Sequence, residues 1–169
     1  MSNYIRLANF FELYNIGLYG QENLWYRYTN GCAPGKTLPF TGSGTTNSDF
    51  DYLSFIYQGA AKNRTGDNLQ AGLILSTNPL SVGIAIEALT WKYHLRVWTV
   101  TLNPLDDYKS VQKILTFEDW LVASLTYDPD AVEVILSSGI DAVSASAPNK
   151  VLTRDQVGAL PVTGNIAAR

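Results

Sequence analysis

Along residues 95–102 (LRVWTVTL) the side chains alternate: Arg96, Trp98, Val100 and Leu102 fall on one side of an extended chain, Leu95, Val97, Thr99 and Thr101 on the other. β-Branched and aromatic residues fill both rows, which predicts a strand with two usable faces. Residues 120–127 (WLVASLTY) and 131–137 (AVEVILS) flank the turn signal Asp128-Pro129-Asp130, so they predict an antiparallel, hairpin-like pair. Residues 69–76 (LQAGLILS) add a fourth strand that ends at Thr77-Asn78-Pro79. Nearer the start, 10–16 (FFELYNI) competes with a helix, because Leu7, Phe11 and Tyr14 share a helical face. The break at Leu18-Tyr19-Gly20 favours a strand, with 24–29 (LWYRYT) as its partner and Asn30-Gly31 as the turn that follows.

Residues 32–51 are dominated by Gly, Pro, Ser, Thr and Asn and predict one long loop; 50–57 (FDYLSFIY) resumes an aromatic strand, and 58–68 is a polar turn region. In 80–89 (LSVGIAIEAL) Val82, Ile86 and Leu89 share a helical face behind Thr77-Asn78, which predicts one short helix despite Gly83. Residues 105–112 form a charged connection, and 114–119 (ILTFED) fit a strand start or a turn. The small, polar stretch 139–149, then 153–158 and the tail 160–169, are expected to order only against a partner. The fold expected is mainly β: a single domain over 1–160 with an antiparallel barrel-like or sandwich core and one short helix, followed by an extended tail at 161–169. Trp98, Val100, Trp120, Val122, Val134 and Leu136 are the expected core.

Composition sharpens this picture in three places. At 169 residues, one domain buries roughly two-thirds of its unfolded surface. Only 16% of residues are charged while 46% are apolar, which excludes global disorder and leaves a surface of Ser, Thr, Asn, Tyr and Gly suited to subunit contacts. A net charge of -3 gives no general attraction for nucleic acid, and no run of eighteen apolar residues suggests a membrane segment, so a soluble chain is expected.

Chemistry is sparse. Cys32 is the only cysteine and cannot form an intramolecular disulfide; His94, the only histidine, lies just before a strand and reads as structural. Residues 31–36 (GCAPGK) with Thr37 imitate a phosphate loop but are one residue short between the glycines. The acidic pairs Asp49/Asp51, Asp106/Asp107, Glu118/Asp119 and Asp128/Asp130 sit in apparent turns, where solvated carboxylates are expected. Ser76, Ser124 and Ser137 lack a nucleophile-elbow sequence. The expectation is a protein that is not an enzyme, with no catalytic, cofactor-binding or metal-ligating residue. Trp25, Tyr26, Tyr28 and Tyr52 are the candidate platform of a different class, a carbohydrate-binding module, because aromatic faces stack on sugar rings.

A strand pair formed by 10–16 and 25–31 (WYRYTNG), a strand at 66–78 (GDNLQAGLILSTN) before a helix, the strand 95–102, and paired strands over 120–136 followed by Pro148 and 158–161 (GALP) occur in that order. The order resembles the hub or adaptor proteins at the tip of long phage tails, represented by minor tail protein L of lambda-like phages and by gene-transfer-agent baseplate proteins. The resemblance implies a structural virion protein at the tail tip or baseplate, made in the host cytoplasm, which links the tail tube or distal tail ring to the central hub. It implies a homotrimeric ring, or a hexameric one on the related distal tail pattern. Relatives of protein L carry a cysteine-rich region for an iron-sulfur cluster; with Cys32 alone, no cofactor is expected here.

Overall fold

The computed structural model describes residues 4–17, 20–59 and 70–138. The stretches 139–149, 153–158 and 160–169, and most of 58–68, lie outside the described residues. In chain order the strands are β1 (Leu7–Ile16), β2 (Glu22–Thr29), β3 (Thr37–Phe40), β4 (Ser48–Tyr52), β5 (Phe55–Gln58), β6 (Gln70–Ser76), β7 (His94–Leu102), β8 (Val111–Tyr127) and β9 (Ala131–Ser137). One helix, α1 (Pro79–Thr90), connects β6 to β7. Strands make up 58% of the described residues, which places the chain in the mainly-β class.

All nine strands form one sheet in the order β3-β4-β2-β1-β7-β8-β9-β6-β5. The sheet is mixed rather than wholly antiparallel, because β2 and β4 run parallel where Tyr28 faces Asp51 and Thr29 faces Tyr52. It curls until Phe55 of β5 meets Phe11 of β1 edge-on, with ring centroids 4.9 Å apart. Leu53 and Ser54 cross the gap: the Leu53 amide donates to the Thr29 carbonyl, and the Ser54 carbonyl accepts from the Ser76 amide. Among the described residues no ladder closes the curl, so the barrel stays open.

Two clusters fill the two faces. The inner one, on the α1 side, takes Phe11 and Leu13 from β1, Leu95 and Val97 from β7, Trp120 and Val122 from β8, Val134 and Leu136 from β9, and the β6 leucines. The outer one takes Phe10, Trp98, Val100 and Leu102 from the opposite rows, together with Leu38, Phe40 and Phe50 from the β3–β4 hairpin folded over them. All six expected core residues are buried, Trp98 and Val100 in the outer cluster and the other four in the inner one. Both rows of β7 are therefore used.

The helix begins where Asn78 accepts a bond from the Ser81 amide at 2.9 Å while Ser81 Oγ accepts from the Asn78 amide at 3.1 Å, a reciprocal cap with Pro79 in the first turn. It ends at Trp91, after which Lys92 takes a left-handed conformation at φ 51°.

Two further expectations need correction, and one left open between strand and turn resolves to strand. Residues 32–51 are not one loop, since β3 and most of β4 lie there; Leu38 and Phe40 alternate inward against exposed Thr37 and Pro39, and an edge strand tolerates proline. Residues 50–57 are two strands, because the chain turns at Leu53-Ser54 from the outer layer to the opposite edge of the sheet. Residues 114–119 belong to a single strand of seventeen residues, β8, which pairs with β7 through its first part and with β9 only from Leu121 onward.

Candidate functional site

On the outer face, beside the aromatic cluster, four strands place Arg27, Glu12, Arg96 and Asp119 in one cross-strand row. Glu12 is fully buried. Its carboxylate accepts from Arg27 Nε at 3.1 Å and from Ser43 Oγ at 2.6 Å, which ties the β3–β4 loop to the sheet. Gly42 passes over it at φ 56°, and a Cβ there would collide with Glu12 Oε1. A carboxylate so enclosed acts as a clamp.

At the other end of this row, Asp119 Oδ2 accepts from the Tyr14 hydroxyl at 2.8 Å and from Arg96 Nε at 3.3 Å. The Arg96 guanidinium lies 4.0 Å above the Tyr14 ring and donates to Glu22 at 2.7 Å, which holds the Glu22 carboxyl below its ordinary range. Burial, reinforced by the Asp119 bond, raises the Tyr14 hydroxyl far above its ordinary value, so it stays protonated. His94 Nδ1 stands 4.0 Å from Asp119 Oδ1, beyond a hydrogen bond, with its ring against Tyr14. The sole histidine thus joins a brace across β1, β2, β7 and β8. Cys32 lies apart, its thiol donating to the Lys36 carbonyl and pushed up by burial. Among the described residues no group of three or more His, Cys, Asp or Glu is placed to hold a metal.

The inner side carries an aromatic wall. Leu13 faces Tyr26 and Tyr14 faces Leu24, so Trp25 is the extra residue of a bulge. Trp25 stacks on Tyr93 with planes 2° apart and keeps 53% of its surface exposed. Glu87 of α1 accepts from Tyr26 at 2.7 Å and from Tyr93 at 2.9 Å. Burial, with the Glu87 bond second, pushes the Tyr93 hydroxyl up to about 12. Tyr26 also stacks on Tyr28. Of the four residues expected to form a platform, Trp25, Tyr26 and Tyr28 therefore share one wall. Tyr52 pairs with Thr29, one position off Tyr28, and falls on the other face. Beside this wall β2 and β4 diverge, leaving a groove of about 240 Å³ lined by Trp25, Arg27, Tyr28, Asp49 and Asp51. Glu87 and Tyr93 were not legible as wall members, because only the packing of α1 brings them to β2.

Two further surfaces stand out. Helix α1 buries Ser81, Ile84, Ala85 and Ala88 but exposes Leu80, Ile86 and, just past its end, Trp91 at 66%. The first part of β8 exposes Ile114, Leu115 and Phe117 along an edge that no described strand pairs. No family model matches this chain, and no curated protein matches it.

Proposed function

We propose that the chain is a structural protein of a long phage tail that links the tail tube or distal tail ring to the central hub or baseplate, in a ring of three copies or six. The observation that carries this reading is α1. A helix apolar on both sides belongs inside a protein, and here the second apolar side, Leu80, Ile86 and Trp91, faces outward. A neighbouring tail protein supplies the cover. The two-sided sheet supports the same role, since a ring component must hold its radius while its surface makes contacts. Image reconstruction of the intact tail tip tests it: density for this chain in a ring about the tail axis, with α1 against another protein, is expected. Absence of the chain from purified particles would overturn the reading. An Ile86→Lys substitution, at an exposed position, is expected to leave the free chain folded and to abolish its incorporation.

A second reading has one observation in its favour: Trp25 is both exposed and held flat by Tyr93, as a sugar-stacking residue must be. Saturable binding in a glycan screen, lost on Trp25→Ala, would favour a carbohydrate-binding module.

A further inference from the structure

The edge of β8 that no described strand pairs is self-complementary. In the ladder with β7, Thr99 faces Thr116 but Val100 faces Ile114, which makes Leu115 the extra residue of a bulge. The bulge changes which side chains share a face. Ile114 and Phe117 both lie on the outer side, opposite Val100 and Trp98, whereas Lys113 and Glu118 lie on the inner side, opposite Thr101 and Val97. Read from either end about a point between Leu115 and Thr116, the row is cation or anion within, apolar without.

We infer that, outside the ring, two copies of this chain pair through β8 in antiparallel fashion about a two-fold axis between Leu115 and Thr116. In that register Lys113 of each copy faces Glu118 of the other on the inner side, and Ile114 faces Phe117 on the outer side. Both of these appositions keep the two side chains on the same face, which a two-fold axis normal to a sheet requires, and the bulge residue Leu115 falls beside the axis. The groups are available. Lys113 makes no ion pair with any described residue. Glu118 spends Oε2 on the Tyr57 hydroxyl and leaves Oε1 without a hydrogen bond from the described residues. Phe117 packs on Trp98 at 5.3 Å, so Ile114 of the second copy would extend an existing apolar strip. Pairing would cover Ile114, Leu115 and Phe117, now 48%, 46% and 54% exposed, and would satisfy an edge that otherwise invites irregular association.

This goes beyond the tail reading. A ring about a polar tail axis is built from head-to-tail contacts, so a two-fold pair is a form of the free chain.

The test is the mass of the full chain in solution by light scattering across a concentration series, with amide exchange over 113–118. The wild type is expected to dimerise, with slow exchange in this segment that quickens on dilution. Lys113→Glu and Glu118→Lys place like charges opposite each other, and each alone is expected to weaken pairing at least tenfold. Mixing the two variants, or combining both changes in one chain, restores opposite charges and should restore the dimer. Because Glu118 also holds Tyr57, exchange in the wild type stands as a readout independent of that variant. A wild type that stays monomeric, with segment 113–118 either fast-exchanging or protected at every dilution by its own chain, would overturn the inference. So would a Lys113→Glu chain that pairs as tightly as the wild type.

Discussion

On its inner face the sheet buries Phe11, Leu95, Val134 and Leu136 beneath a helix; on its outer face it buries Phe10, Phe40, Phe50 and Trp98 beneath a two-stranded hairpin, and clamps that hairpin with one carboxylate. The inner cluster draws on β1, β2, β5 to β9 and α1, so losing any piece disturbs most of the sheet. The outer cluster depends on a hairpin that meets the sheet through two parallel register pairs. The contrast teaches that burial alone does not say how far damage spreads. What matters is how many strands share the buried residue.

Four experiments separate the faces. The largest effect is expected from Phe11→Ala, which opens the inner cluster where β1 meets β5: a loss of about 3–5 kcal/mol in urea unfolding, felt by every strand in amide exchange. A loss confined to β1 would contradict it. Next, Glu12→Ala removes the outer clamp and leaves Ser43 and the partly solvated Arg27 without their acceptor. About 2 kcal/mol is expected, with faster exchange in 37–52 while β6 and β9 remain protected. If β9 loosens equally, the two faces are one cooperative unit. A smaller change follows from Asn78→Ala at the start of α1, about 1 kcal/mol by thermal melting, and it should leave the β3–β4 hairpin unaffected.

The last comparison costs nothing at neutral pH. Tyr26 and Tyr93, both bonded to Glu87, and Tyr57, half-buried and bonded to Glu118, have hydroxyls raised above the ordinary value. A raised acid stabilises the folded chain while it is protonated. The contribution of Tyr93 is therefore complete below pH 10.0 and lost as the pH climbs toward 12. Phenolate absorbance in an alkaline titration should lag in the folded chain and then rise together with loss of the inner packing. Ordinary titration of these tyrosines at their unfolded value would break the assignment.

Period-two patterning made β6, β7 and β9 legible, because β6 and β9 each bury one full row and β7 buries apolar residues of both its rows, and Asn78 marked the start of α1. The β3 strand was hidden because its signal is only Leu38 and Phe40 around a proline. The β4–β5 corner was hidden because aromatic residues continue through Leu53 while the backbone changes direction. The beginning of β8 resisted assignment because both its rows are exposed, so neither alternates in polarity. The brace of Tyr14, His94, Arg96 and Asp119 has no local signature: its members become neighbours only through the ladders β1–β7 and β7–β8, and Glu12 finds Ser43 only after the hairpin folds over.

The strand order also has a consequence for synthesis. β1 takes its second neighbour from β7, about ninety residues later where Phe11 faces Val97, and β6 takes its second from β9, where Gln70 faces Ser137. A nascent chain that has reached the end of α1 holds the β1–β2, β3–β4 and β5–β6 pairs, while the edge of β1 that takes β7 and the edge of β6 that takes β9 are still open. Only β7, β8 and β9 join the halves. Folding must therefore wait for the later strands to leave the ribosome, and until then a chaperone would find the free edges of β1 and β6 open to capture.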